Sequence, residues 1–466
     1  MNEMLARSKQ APFTLVACIA HDHKVYDVAL KAIGPEHIWR MKGIHLIDRT
    51  PSRIQGGPLG SRRIEVLASL KQPAPMLESL TLEGITKSDE ALPQDIFALT
   101  LPRLRCFSFL DFRTMVWEAS YLCNLTDLEL GFQANVPLSK LLALLKKSPT
   151  LENLKISRRS HSVGTPEAHP PDRGVILLSL ETLYYSGPPD PTCIDFLASL
   201  TIPSAAQVHF SFWGGEVEKM LPIIPLVTAF LGTKDPRTRP SPSRILLGCD
   251  QFPDGSVCVG LKTWFKEDSS SSRQPPFSIA WNPHNFMPIA HVPFVQQLLG
   301  SFDLRTVTHL MLESQYPDSA IYDTLKDMFR SMPVVREITL NGYGIVPLLG
   351  ILETMHVVRP DPEIPDIGGQ VRVAESSLFF PVFFPGLAYL TVVAAPFDRG
   401  RPGDRDWDPL LGVGNALLSL VQKRSAMGAR IRTLSITECC GSEAMADSFR
   451  EHVEILLHRR HRLAGA

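Results

Sequence analysis

One pattern recurs along the chain: an apolar residue, two variable positions, a second apolar residue, one variable position, and a third apolar residue. It reads Leu77-x-x-Leu80-x-Leu82, Leu104-x-x-Phe107-x-Phe109, Leu125-x-x-Leu128-x-Leu130, Leu151-x-x-Leu154-x-Ile156 and Leu180-x-x-Leu183-x-Tyr185, with a degraded copy at Ala205-x-x-Val208-x-Phe210. It returns as Val307-x-x-Leu310-x-Leu312, Val335-x-x-Ile338-x-Leu340, Leu387-x-x-Leu390-x-Val392 and Ile431-x-x-Leu434-x-Ile436. In the first half, successive copies start 21 to 29 residues apart. Later steps are 28, 52 and 44 residues, the 52 being two periods with one copy too weak to see.

The spacing has a physical meaning. The last two apolar residues, two apart, lie on the same side of a short strand, and the first turns into the same core. One such unit cannot bury its apolar face alone, but a stack can. The period matches that of leucine-rich repeats, roughly 20–29 residues. The expected fold class is therefore α/β. It is a leucine-rich-repeat solenoid, or horseshoe, of irregular repeats of about 25 residues, with parallel strands on the concave face and helices on the convex face.

Segments between the strands agree. Pro137 to Lys147 carries apolar residues at helical spacing, with Ser139 as the expected N-cap, two lysines at the end and Pro149 as the stop. Ile194–Leu200, Phe294–Leu299, Ile321–Met328 and Asn415–Arg424 read as short helices in the same way. Residues 1–466 then form a single solenoid, with an N-terminal helix or cap over 1–12. Prolines and a serine run make 232–293 a stretch of irregular, loop-rich repeats, with strand-like runs at Arg244–Leu247, Val257–Leu261 and Phe277–Trp281. Residues 360–378 read as a surface loop.

Charge narrows the function. The chain has 47 basic and 48 acidic residues, a formal net charge of −1, and no long single-sign run. Nucleic-acid binders draw affinity from phosphate neutralisation, so this balance argues against such a partner. The basic tail His458-Arg459-Arg460-His461-Arg462 reads as a solvated helix end. No apolar run reaches the roughly 18 residues of a spanning helix, and no leader pattern opens the chain. The expectation is no membrane partner and a cytoplasmic or nuclear protein.

Candidate chemistry is sparse. The cysteines form no C-x-x-C, so a thiolate metal site has no spacing support. His21-Asp22-His23 lacks a third ligand, Asp361, Glu363 and Asp366 lie in a Pro-rich stretch, and Gly412-x-Gly414 follows Asp408-Pro409 rather than a strand. Nucleophile-elbow, phosphate-loop and zinc-protease motifs are missing. No catalytic residue, cofactor or metal ligand is assigned, and no enzyme is expected.

Several stretches carry a further signal: Glu3-Met4-Leu5-Ala6-Arg7-Ser8-Lys9-Gln10-Ala11-Pro12, Gln72 to Leu82, Leu92-Pro93-Gln94-Asp95-Ile96-Phe97, Leu101-Pro102-Arg103-Leu104-Arg105, and Trp117 to Gly131 with Leu125-Thr126-Asp127-Leu128-Glu129-Leu130. In these the chain resembles the F-box leucine-rich-repeat proteins of basidiomycete fungi, well through residue 230 and only generally after it. The resemblance implies the substrate-recognition part of an SCF-type ubiquitin ligase. It also implies an F-box ahead of the repeats that docks on a Skp-type adaptor. Met1 stands where that motif would already have ended, and Leu92–Phe97 falls inside a repeat loop. Two readings stay open: a receptor whose F-box lies upstream, or a free-standing protein-interaction scaffold without a ligase link.

A protein partner would meet the strand residues between the buried anchors. The expected concave-face set is Glu83, Asp127, Glu129, Lys155, Tyr184, His209, His309 and Tyr389, with the tyrosines as anchors.

Overall fold

A computed structural model describes residues 11–19, 23–48, 65–84, 96–99, 101–112, 115, 117, 120–133, 137–159, 174–231, 240–251, 257–265, 276–282, 291–314, 319–342, 345–353, 383–393, 412–439 and 445–459. The fold is mixed α/β, with mostly parallel strands accompanied by helices. The chain divides into two compact units, residues 1–215 with 225–232, and residues 216–224 with 233–466.

The first unit contains β1 (Phe13–Ile19), α1 (His23–Ile33), β2 (Met41–Asp48), β3 (Ser79–Glu83), β4 (Cys106–Phe112), β5 (Asp127–Phe132), α2 (Leu138–Lys146) and β6 (Asn153–Arg158). They are followed by β7 (Val175–Ile176), β8 (Thr182–Gly187), α3 (Pro191–Ala198), β9 (Leu200–Thr201) and β10 (Gln207–Trp213). Its sheet runs β1-β2-β3-β4-β5-β6-β8-β10, with each strand beside the previous one and every pair parallel. The small pair β7-β9 stands apart.

Alternation drives this arrangement. In β3, Leu80 and Leu82 are fully buried while Ser79, Thr81 and Glu83 are only half covered. The register places Leu80 beside Phe107 and Leu82 beside Phe109, then Leu128 beside Leu154 and Leu130 beside Ile156. Each ladder step therefore stacks apolar on apolar, and a fully buried leucine contributes roughly 1.5–3 kcal/mol. The leading residues Leu77, Leu104, Leu125 and Leu151 are buried as well.

Local chemistry fixes the connections. In α2, Leu138, Leu141, Leu142, Leu144 and Leu145 are buried. Its N-cap is Pro137 and not Ser139, which lies inside the first turn. Proline's fixed φ and missing N–H favour that entry. Just past the helix, buried Ser148 donates to Leu122 O at 3.2 Å and accepts from Leu125 N at 3.4 Å, tying the helix end to the strand before it. Asp190 caps α3, accepting from Cys193 N at 2.8 Å, with Pro191 in the first turn.

Between β4 and β5 the ladder breaks register at Leu110–Asp111, and Asp111 takes φ 64°. The bulge lies against Gly131, where a Cβ would stand 2.9 Å from Leu110 Cδ2 and 3.3 Å from Leu110 Cα. Arg159 pins Asp111 at 2.6 Å. Beside the bulge, Phe109 and Phe112 stack at 4.1 Å, and Phe132 meets Phe112 edge-on at 4.9 Å.

The second unit contains β11 (Arg244–Gln251), β12 (Val257–Trp264), β13 (Phe277–Asn282), α4 (His291–Gly300), β14 (His309–Ser314), α5 (Ser319–Arg330), β15 (Glu337–Asn341) and α6 (Val346–Glu353). It continues with β16 (Tyr389–Val393), α7 (Val413–Ala426), β17 (Thr433–Thr437) and β18 (Ile455–Arg459). Its sheet runs β13-β12-β11-β14-β15-β16-β17-β18. From β11 to β18 the pairs are parallel and in register. Arg424 of α7 is buried and donates to the carbonyls of Phe383 and Phe384 at 3.0 and 2.9 Å. Burial pushes its guanidinium down to about 10.

Three expectations need correction. The strands at 244–282 are longer than their apolar runs, and β11-β12-β13 is antiparallel rather than parallel. An antiparallel step needs no helical crossover, which suits a stretch whose prolines and serines disfavour helices. His458 and Arg459 belong to strand β18, not to a helix end, because pairing with β17 supplies their backbone partners. Residues 360–378 and the cap at 1–10 lie outside the described residues, and Ala11 and Pro12 are not helical. Among the described residues no helix is long and apolar enough to cross a membrane.

Two stability predictions follow from this packing. Gly131→Ala forces a methyl against the Leu110 backbone and should cost about 1–3 kcal/mol, seen as a lower urea midpoint. Arg424→Met strands two buried carbonyls and should cost about 1–3 kcal/mol. An unchanged midpoint in either variant contradicts the corresponding contact.

Candidate functional site

A strand that buries alternate residues must present the others on its opposite face. In the first unit the register aligns these into rows. One runs Ser79, Cys106, Asp127, Asn153, Thr182, Gln207, and the next runs His45, Thr81, Ser108, Glu129, Lys155, Tyr184, His209. The rows are polar because this side of the sheet is only half covered.

Their centre is a connected set of bonds. Asp127 accepts from Asn153 Nδ2 on Oδ1 at 2.7 Å, and from Thr126 Oγ1 and Cys106 Sγ on Oδ2 at 2.7 and 3.3 Å. Glu129 accepts from Ser108 Oγ at 2.8 Å on one oxygen and meets Lys155 Nζ at 2.5 Å on the other. The Lys155 ammonium also stands 5.6 Å from the centre of the Tyr184 ring. His45 bridges Thr81 Oγ1 at 2.9 Å and Ser79 Oγ at 3.3 Å, donating to one hydroxyl and accepting from the other according to its tautomer. Apart from Thr126 and Tyr184, these groups line an open depression of about 310 Å³.

The electrostatics of this face leave its Cys106 thiol unactivated. Burial, then the hydrogen bond and charge of Asp127, push the Cys106 thiol up to about 11, with Glu152 adding to the effect. A thiol so raised is protonated at neutral pH and is a poor nucleophile. Burial lowers the pKa of His209, favouring its neutral form. Among the described residues no group of three His, Cys, Asp or Glu side chains could hold a metal ion.

The expected site residues divide between the units. Asp127, Glu129, Lys155 and Tyr184 come together around the depression. Glu83 lies at the end of β3 beside Leu110, and His209 lies next to Tyr184 in register. His309 and Tyr389 belong to the second unit, on either side of Glu337. There His309 Nε2 stands 3.1 Å from Glu337 Oε2, and Tyr389 is 42% exposed, enough for a contact residue.

Some participants were not singled out from sequence. His45 was missed because the copy Met41-x-x-Ile44-x-Leu46 begins with methionine, although its spacing is the same. Cys106 and Ser108 flank anchors that were recognised, so alternation alone would have found them. A part-buried network had no sequence signal. In it, Arg158 forks onto both Asp190 oxygens at 2.8 Å and reaches the Tyr185 hydroxyl at 3.3 Å. Burial disfavours the Arg158 charge, but the hydrogen bonds and charges of Asp190 and Tyr185 together outweigh it and raise its pKa.

The chain matches no protein-family model and no curated protein.

The Cys106 environment is testable by alkylation. At pH 8 with iodoacetamide, Cys106 should react more slowly than exposed Cys18, read by peptide mass mapping. Asp127→Asn should speed labelling at Cys106 and leave Cys18 unchanged. Equal rates at both thiols in the parent chain would contradict the assignment.

Proposed function

We propose that the chain is a leucine-rich-repeat solenoid that binds another protein on the polar face of its parallel sheet. Its repeat region is the substrate-recognition part of an SCF-type ubiquitin ligase. The observation that carries the binding reading is the ladder of the first unit. Successive copies of one apolar pattern pair in parallel, and the intervening residues line up as polar rows. Repeat stacks offer such extended surfaces for partners. The resemblance of residues 3–12, 72–82, 92–97, 101–105 and 117–131 to F-box leucine-rich-repeat proteins supports the ligase part. The protein acts in the cytoplasm or nucleus, without cofactor or metal, and does no chemistry of its own. Neither a nucleic acid nor a membrane is its partner.

Affinity purification of the native protein from its source tests both parts. The expected result is co-purification of a Skp-type adaptor and of a substrate. Tyr184→Ala should lose the substrate, about tenfold in recovery, and keep the adaptor, since tyrosines are frequent interface hot spots. Absence of the adaptor from the native protein removes the ligase part and leaves a free-standing scaffold. A partner retained after both Tyr184→Ala and Ser108→Arg removes the face itself.

A further inference from the structure

The polar face of the first unit already holds a cation of its own. Lys155 points across to β5, where Glu129 meets its ammonium and the Tyr184 ring flanks it. Its side chain is 51% exposed, so this is a solvent-screened surface pair and a weak one. A pair that weak yields to a better cation.

The surroundings favour a cation over an anion. In the two rows that line this face the carboxylates are Asp127 and Glu129, and the amine is Lys155. Asp127 and Glu129 are two residues apart on one strand, on the same side, about 7 Å apart along the backbone. Asn153, Thr126, Cys106 and Ser108 hold the two carboxylates in place. A phosphate or an acidic peptide would meet net repulsion here.

We propose that this depression seats an arginine side chain from a basic, extended segment of the partner protein, with Lys155 as an internal stand-in that the arginine displaces. The proposal rests on the reading of this face as the binding surface and names the chemistry of what binds. Arginine suits the seat better than lysine. Its planar fork presents five donors, enough to engage Glu129 and Asp127 together, whereas an ammonium is a point charge. Charge complementarity of this kind sets partner choice and speeds encounter.

The test is fluorescence anisotropy on the full chain with a labelled peptide of alternating arginine and glycine, set against the same peptide with glutamate for arginine. The arginine peptide should bind, with an affinity that falls as salt rises, and the glutamate peptide should not. Glu129→Gln and Asp127→Asn should each weaken binding about tenfold. Lys155→Ala should tighten it severalfold, because it removes the competing amine. Circular dichroism melts check that each variant is folded. Equal binding of the two peptides, indifference to both carboxylate variants, or weaker binding by Lys155→Ala each overturns the proposal. If the arginine peptide fails to bind while Tyr184→Ala still releases the native partner, the arginine seat falls and the binding face stands.

Discussion

A strand of five or six residues has two sides, and only one of them can be covered by its own repeat. Burial of Leu80 and Leu82 in β3, or of Leu154 and Ile156 in β6, removes apolar surface from water only if the next strand brings its own apolar pair to the same level. Parallel, in-register pairing meets that demand, because it sets identical positions of successive copies side by side. The helices and the small staples at their ends, such as Ser148 between Leu122 and Leu125, hold the spacing that makes this register possible. A one-residue slip would move every buried side chain to the polar side, so the register is strongly specified.

The same alternation makes the polar face. Once Leu128 and Leu130 are committed to the core, Asp127 and Glu129 have nowhere to point but outward. There they meet residues that their neighbours were forced to expose for the same reason: Cys106, Ser108, Asn153 and Lys155. The carboxylates are thus held by donors from adjacent strands, which fixes them without burying them. Among these residues the Cys106 thiol is kept protonated by burial and by Asp127.

Much of this was legible in the apolar spacing. The strands at 79–83, 127–132, 153–158 and 182–187 fall on the copies read from sequence, as do the helices before β6 and β14. Errors cluster where the spacing is weak or competes with other signals. The methionine-led copy at Met41 escaped notice, and with it His45. Ser139 looked like a cap because serine favours that position, but Pro137 opens the helix two residues earlier. The basic run at 458–462 suggested a solvated helix end, yet ladder bonds to β17 draw His458 and Arg459 into a strand.

What the sequence determined by itself was the period, the mixed α/β character and the sidedness of each strand, because these depend on neighbours within a few residues. Tertiary structure alone decided three things: the antiparallel turn of β11-β12-β13, the fork of Arg158 onto Asp190, and the meeting of Lys155 with Glu129 and Tyr184. Each joins residues from different segments, and whether they meet depends on the register of whole strands. Register is settled by the sum of many buried contacts, which no local stretch of sequence contains.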